Sequence, residues 1–228
     1  MDSAIRALNA ALMIALGLAL GIWLARRRKM SWGLFGIGAA TFVLSQVGHI
    51  PFNSLVLNAL FVRLGWTDAT STATLLGVAA LLGLSAGVFE EGARYLMYRF
   101  WAKQARAWDE ALMIGAGHGG IEAILLGLLA GYALLQVLAL RGVDLATVLP
   151  ADQVELARLQ VEAYWATPWY ASLLGAVERA FAICLHLSLS MLVLQCFIRR
   201  RWYWLPLAIG WHARVDGAVL VAAQRFGP

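Results

Sequence analysis

The stretch ALMIGAGHGGIEAILLGLLA, residues 111–130, decides how this chain is read. Among these 20 residues only His118 and Glu122 can ionise. Twenty residues wound as a helix cross about 30 Å, the thickness of a bilayer's hydrocarbon core. Four residues apart, His118 and Glu122 share a face of that helix. Both are costly in lipid, so each needs a partner or a task. Gly115, Gly117, Gly119 and Gly120 surround the histidine. Such small residues let neighbouring helices come close in a membrane.

The rest of the chain is built alike. Its 228 residues are 61% hydrophobic and 14% charged, where a soluble domain carries roughly 25% charge. The mean hydropathy is +0.73. The pattern predicts an all-α, polytopic transmembrane bundle of about six spans, at residues 4–25, 32–51, 72–99, 111–140, 170–198 and 202–223. No polar linker is long enough to divide it, so residues 1–228 form one integral membrane domain, with the site helices at 72–223. Pro51 is expected to end or kink the second span. Residues 52–69 then read as an external interfacial or re-entrant segment, and 152–165 as an amphipathic helix on the outer surface. The first positive cluster follows the first apolar run, so that run reads as a retained helix and not a cleaved signal. Cys184 and Cys196, twelve residues apart in one span, cannot bridge within a helix. They are expected to be buried free thiols.

The pI near 9.6 does not point to nucleic acid. Arg26–Lys29, the group Arg99, Lys103 and Arg106, and Arg199–Arg201 each abut an apolar run. Each also lies between an odd span and the next even one. All three are cytoplasmic together if both termini are extracytoplasmic. Loop 141–167, net −2, then lies outside. Most tryptophans sit at or near span ends, as a belt of interfacial anchors does.

Depth adds a further test. Glu90 lies 13 residues from Lys103, His118 lies 9 from Asp109, His186 lies 13 from Arg199 and His212 lies 11 from Arg201. At about 1.5 Å per residue all four sit roughly 14 to 20 Å deep, one layer near mid-membrane. Arg94 can reach either Glu90 or Glu91. His118 faces the same way as Glu122, and His212 the same way as Asp216, so Glu122 and Asp216 read as groups that orient their histidines. Glu178 and His186, eight apart, share a face two turns along. His49 lies outside the layer, nearer the outer face, and reads most simply as a cap on the proline break.

Several histidines beside two adjacent glutamates could hold a divalent metal such as zinc. A metal-free glutamate could instead activate water, with a histidine holding the oxyanion. Either arrangement could hydrolyse an amide. Two other readings stay open: a proton- or cation-coupled transporter using the same layer, and a bis-histidine haem or quinone protein.

At these residues the chain resembles a family. Glu90-Glu91-Gly92-Ala93-Arg94 matches the E-E-x-x-R signature of the CAAX-protease, bacteriocin-processing and PrsW-like membrane proteases. Residues 117–122, His186 and His212-x-x-x-Asp216 look like that group's later motifs, although Ile114 stands where it has Phe and Asp216 where it has Asn. From about His49 onward the chain is most similar to the YhfC-like intramembrane metalloproteases. The resemblance implies a cell-membrane peptidase acting on a membrane protein or peptide within the bilayer. Its catalytic residues would be Glu90, Glu91, Arg94, His118, Glu122, His186, His212 and Asp216. Glu90 or Glu91 would activate water. His118, His186 and His212 would bind metal or stabilise the oxyanion.

Overall fold

A computed structural model describes residues 2–68 and 71–226, and the described residues are helical with no strand among them. Eight helices follow in order: α1 (Asp2–Arg27), α2 (Trp32–Phe52), α3 (Asn58–Leu64), α4 (Thr72–Leu96), α5 (Trp108–Ala139), α6 (Ala151–Ala166), α7 (Trp169–Ile198) and α8 (Trp204–Phe226). Local chemistry sets several starts. The Ser31 hydroxyl accepts from the Gly33 N–H at 3.1 Å and the Ser71 hydroxyl from the Thr74 N–H at 3.0 Å, as N-caps do. At α5 the Glu110 carboxylate reaches back to the Ala107 N–H at 2.8 Å. Gly65 ends α3 in the left-handed region, φ 68°, which glycine adopts without strain.

Among the described residues, five stretches are long and apolar enough to cross a membrane: Asp2–Arg27, Trp32–Leu64, Thr72–Trp101, Trp108–Ala139 and Trp169–Ile198. The expected sixth span is α8. Its 23 residues give it the length, but His212, Arg214 and Asp216 keep it from equal apolarity. The helix α6 lies where the amphipathic segment was expected, and Trp32, Trp169 and Trp204 open their helices.

Two expectations are corrected. The helix does not stop at Pro51; it runs on through a π-helical turn, Asn53–Leu57, into α3. Residues 52–64 therefore prolong the second span, while Ala69 lies outside the described residues. Pro51 has no N–H for the Val47 carbonyl, yet the helix continues past it: the Asn53 N–H reaches the His49 and Ile50 carbonyls, and the Ser54 hydroxyl donates to the Ile50 carbonyl at 2.9 Å. Cys184 and Cys196 are both free, but only Cys196 is buried. Ile183 and His186 take the inward face of α7, leaving Cys184 exposed on its outer side.

Helix α5 is the central element, packed on α1, α2 and α7, while α8 lies along α4. The glycines of α5 make this possible. A Cβ on Gly117 would overlap the Phe35 carbonyl of α2, and one on Gly120 the Gly17 carbonyl of α1. On the other face, a Cβ on Gly119 would lie 3.1 Å from the His186 ring. The basic clusters meet at one end: Arg28 pairs with Asp109 at 3.7 Å, and Arg106 stacks 4.8 Å over the Phe197 ring. At the other end Arg6 donates to the Thr167 carbonyl at 3.0 Å, and Arg225 meets Thr72.

Candidate active site

Four helices converge on one buried group of ionisable side chains. Helix α4 brings Glu90, Glu91 and Arg94, α5 brings His118 and Glu122, α7 brings His186, and α8 brings His212 and Asp216. Glu90, Glu91, Arg94, His118, His186 and His212 are all buried. The imidazoles form a row, His118 to His186 at 4.7 Å and His186 to His212 at 5.5 Å between ring centres.

The adjacent glutamates go separate ways because neighbours on a helix point about 100° apart. Glu90 Oε2 meets His118 Nε2 at 3.1 Å, and its Oε1 accepts from the Gln46 amide at 3.1 Å. Glu91 pairs with Arg94 and with His212 Nδ1, the latter at 2.9 Å. Asp216 meets the other nitrogen of His212 at 3.3 Å. Carboxylate oxygens accept, so His212 is held as a donor on both sides. The expected His212–Asp216 pair is therefore made.

The expected His118–Glu122 pair is not. Glu122 turns from His118 to α7, where its Oε2 meets His186 Nε2 at 2.8 Å and its Oε1 meets Arg179 at 2.5 Å. Glu178 lines the same cavity as His186, in keeping with their common face, and pairs with Arg179. The cause is a cation that the spacing argument overlooked: a partly neutralised pair in a low-dielectric interior is far cheaper than a lone charge. Arg179 carried a signal, since an arginine in an apolar run needs a reason as much as a glutamate does. Arg94 donates to His186 Nδ1 at 3.2 Å, so the hydrogen of that ring sits on Nε2, toward Glu122, and Nδ1 is the nitrogen whose lone pair a metal would take in place of the Arg94 bond.

Among the described residues, Glu90, His118 and His186 each offer a ligand atom within 4.8 Å of the others. Their donor types suit zinc. The 3.1 Å between Glu90 Oε2 and His118 Nε2 is close to the roughly 3.3 Å separating two ligands of a tetrahedral zinc. His118 Nδ1, also buried, bonds no protein atom. His212 lies beside this group with both nitrogens on carboxylates. A cavity of about 280 Å³ between α7 and α8 reaches Glu90, Glu122, His186 and His212. Glu91 and Arg94 lie behind it.

His49 does not cap the proline break. Its Nδ1 meets Gln46 Oε1 at 3.3 Å, and its Nε2 faces Ser85 Oγ at 3.1 Å and Asn53 Nδ2 at 3.0 Å. Sequence reasoning passed over Gln46, whose polar amide in an apolar helix, three residues before His49, was the available sign.

A glycine-cut helical bundle enclosing a buried Glu/His centre that suits a metal defines a multi-pass membrane protein with a candidate metal site among its spans. The chain belongs to the family described as YhfC intramembrane metalloprotease, which it matches over residues 12–226. It is 35% identical, over 212 residues, to a protein of Bacillus subtilis (strain 168) described as uncharacterized membrane protein YhfC; the match covers 91% of this chain and 80% of that protein. No solved structure matches the chain.

Proposed function

We propose that the chain is an intramembrane peptidase that hydrolyses a peptide bond within or next to the bilayer. The observation that carries this reading is the Glu90, His118 and His186 group, buried among helices yet reached by the cavity between α7 and α8. That cavity extends toward Glu178 and Ala223, away from the end with the basic clusters. With those clusters in the cytoplasm, a membrane-embedded substrate approaches from the outer half of the bilayer.

Glu90 is the carboxylate that meets a water from the cavity. It takes a proton as the water oxygen attacks the substrate carbonyl, and gives that proton to the departing amine as the C–N bond breaks. His212, with both nitrogens donating to Glu91 and Asp216, lines the cavity and offers the positive charge of its ring to the oxyanion that forms. Glu122 fixes the His186 ring, and Arg179 keeps Glu122 in place. Glu90, His118 and His186 would hold a divalent ion such as zinc, which when bound supplies Lewis acidity toward the carbonyl and the water.

The test is a comparison of new protein N-termini in membranes of cells carrying wild-type protein or Glu90→Gln. New termini within or beside membrane segments, present with the wild type and absent with the variant, are expected. Identical sets would overturn the reading. Cation flux in proteoliposomes, lost in Glu90→Gln and without any cleavage, would select a coupled transporter instead.

A further inference from the structure

The peptidase reading above leaves out a chain of hydrogen bonds that ends on Glu90. Gln46, His49 and Asn53 follow at steps of three and four along the span that contains Pro51, so they line one face. That face looks across to Ser85 and Glu90 on α4. Donor and acceptor chemistry sets the direction of each link. The carboxylate of Glu90 accepts, so the group of Gln46 turned to it is the NH2. Its second hydrogen faces Ser45 Oγ at 3.2 Å. The Gln46 carbonyl oxygen is thereby turned to His49, which donates from Nδ1 at 3.3 Å. A neutral imidazole donating from Nδ1 accepts at Nε2, and Asn53 Nδ2 supplies a donor there at 3.0 Å. Ser85 closes the set with its one hydrogen, which lies between Asn53 Oδ1 at 2.9 Å and the Leu82 carbonyl at 2.8 Å, so its approach to His49 Nε2 is packing and not a hydrogen bond. No link needs a charge. The π-helical turn begins at Asn53 itself, a feature often found near functional sites.

We propose that Gln46 is a positioning residue for the metal centre. It holds one oxygen of Glu90 so that the other faces His118, and His49, anchored by Asn53, keeps its amide from turning over. The proposal rests on the reading of Glu90, His118 and His186 as metal ligands. Partners that orient a ligand in this way typically change metal affinity by about 10- to 100-fold when removed.

The experiment measures zinc affinity of the full chain, purified in detergent, by competition with a chromophoric chelator, alongside the melting temperature of the metal-free protein. Wild type is expected to bind one zinc ion. Gln46→Leu should bind about 10- to 100-fold more weakly, with the metal-free melting temperature little changed. His49→Leu should weaken binding less. His49→Gln, which keeps a donor for the Gln46 carbonyl, should stay near wild type. Wild-type affinity in Gln46→Leu would overturn the positioning role and leave the metal centre standing. No stoichiometric zinc in the wild type would overturn both. Should Gln46→Leu not fold, His49→Leu decides: weakened binding supports the proposal and unchanged binding overturns it.

Discussion

Glu90 and Glu91 are neighbours in the chain but have different tasks in the fold, and substitution should separate them. Glu90 reaches the cavity, so Glu90→Gln is expected to fold normally and to lose cleavage by at least about 100-fold, the scale of a positioned acid or base. Glu91 pairs with buried Arg94 and with His212. Glu91→Gln would leave the Arg94 charge without its carboxylate partner, and breaking a buried pair costs about 3–5 kcal/mol. It should therefore show first as lost stability, read by a lower melting temperature in detergent. His118→Ala should abolish stoichiometric zinc in elemental analysis of purified protein, and retained zinc would remove His118 from the ligand set. His212→Ala should fold and bind zinc while cleavage falls about 100- to 1,000-fold, the scale of losing electrostatic stabilisation of an oxyanion.

At the scale of elements, α5 lets the site exist because it lacks side chains where its neighbours pass. Gly117 and Gly120 admit the backbones of α2 and α1, and Gly119 admits the His186 ring. Gly117→Val would push a branched side chain into the Phe35 carbonyl. Overpacking typically costs about 1–3 kcal/mol, and a backbone atom cannot move aside as a side chain can. The expected result is a poorly folded protein, seen as low yield and early elution in size-exclusion chromatography. Gly92 has nothing within 4 Å of an added Cβ, so Gly92→Ala should behave as wild type. The second span shows the opposite economy. It keeps Pro51 inside a continuous helix, and backbone bonding resumes at once with the Asn53 N–H on the His49 and Ile50 carbonyls.

For the whole molecule, the contacts that gather the basic clusters at one end make orientation measurable. With Cys184 and Cys196 replaced, single cysteines at Lys103 and Arg200 should react with a membrane-impermeant thiol reagent only from the cytoplasmic side, and one at Glu155 only from outside. Labelling of Lys103 and Glu155 positions from the same side would refute this topology. Long apolar runs, charges at their ends and the E-E-x-x-R spacing made the membrane class, the approximate spans and the layer of ionisable groups readable along the chain. They could be read because hydropathy and helical rise act locally, residue by residue. Which carboxylate meets which histidine was decided only by the tertiary structure. His118 shares a helix face with Glu122, yet it bonds Glu90, because Arg179 and His186 on α7 draw Glu122 away. Partners of buried charges are chosen by whatever helix lies within a hydrogen bond's reach, and no spacing within one helix encodes that choice.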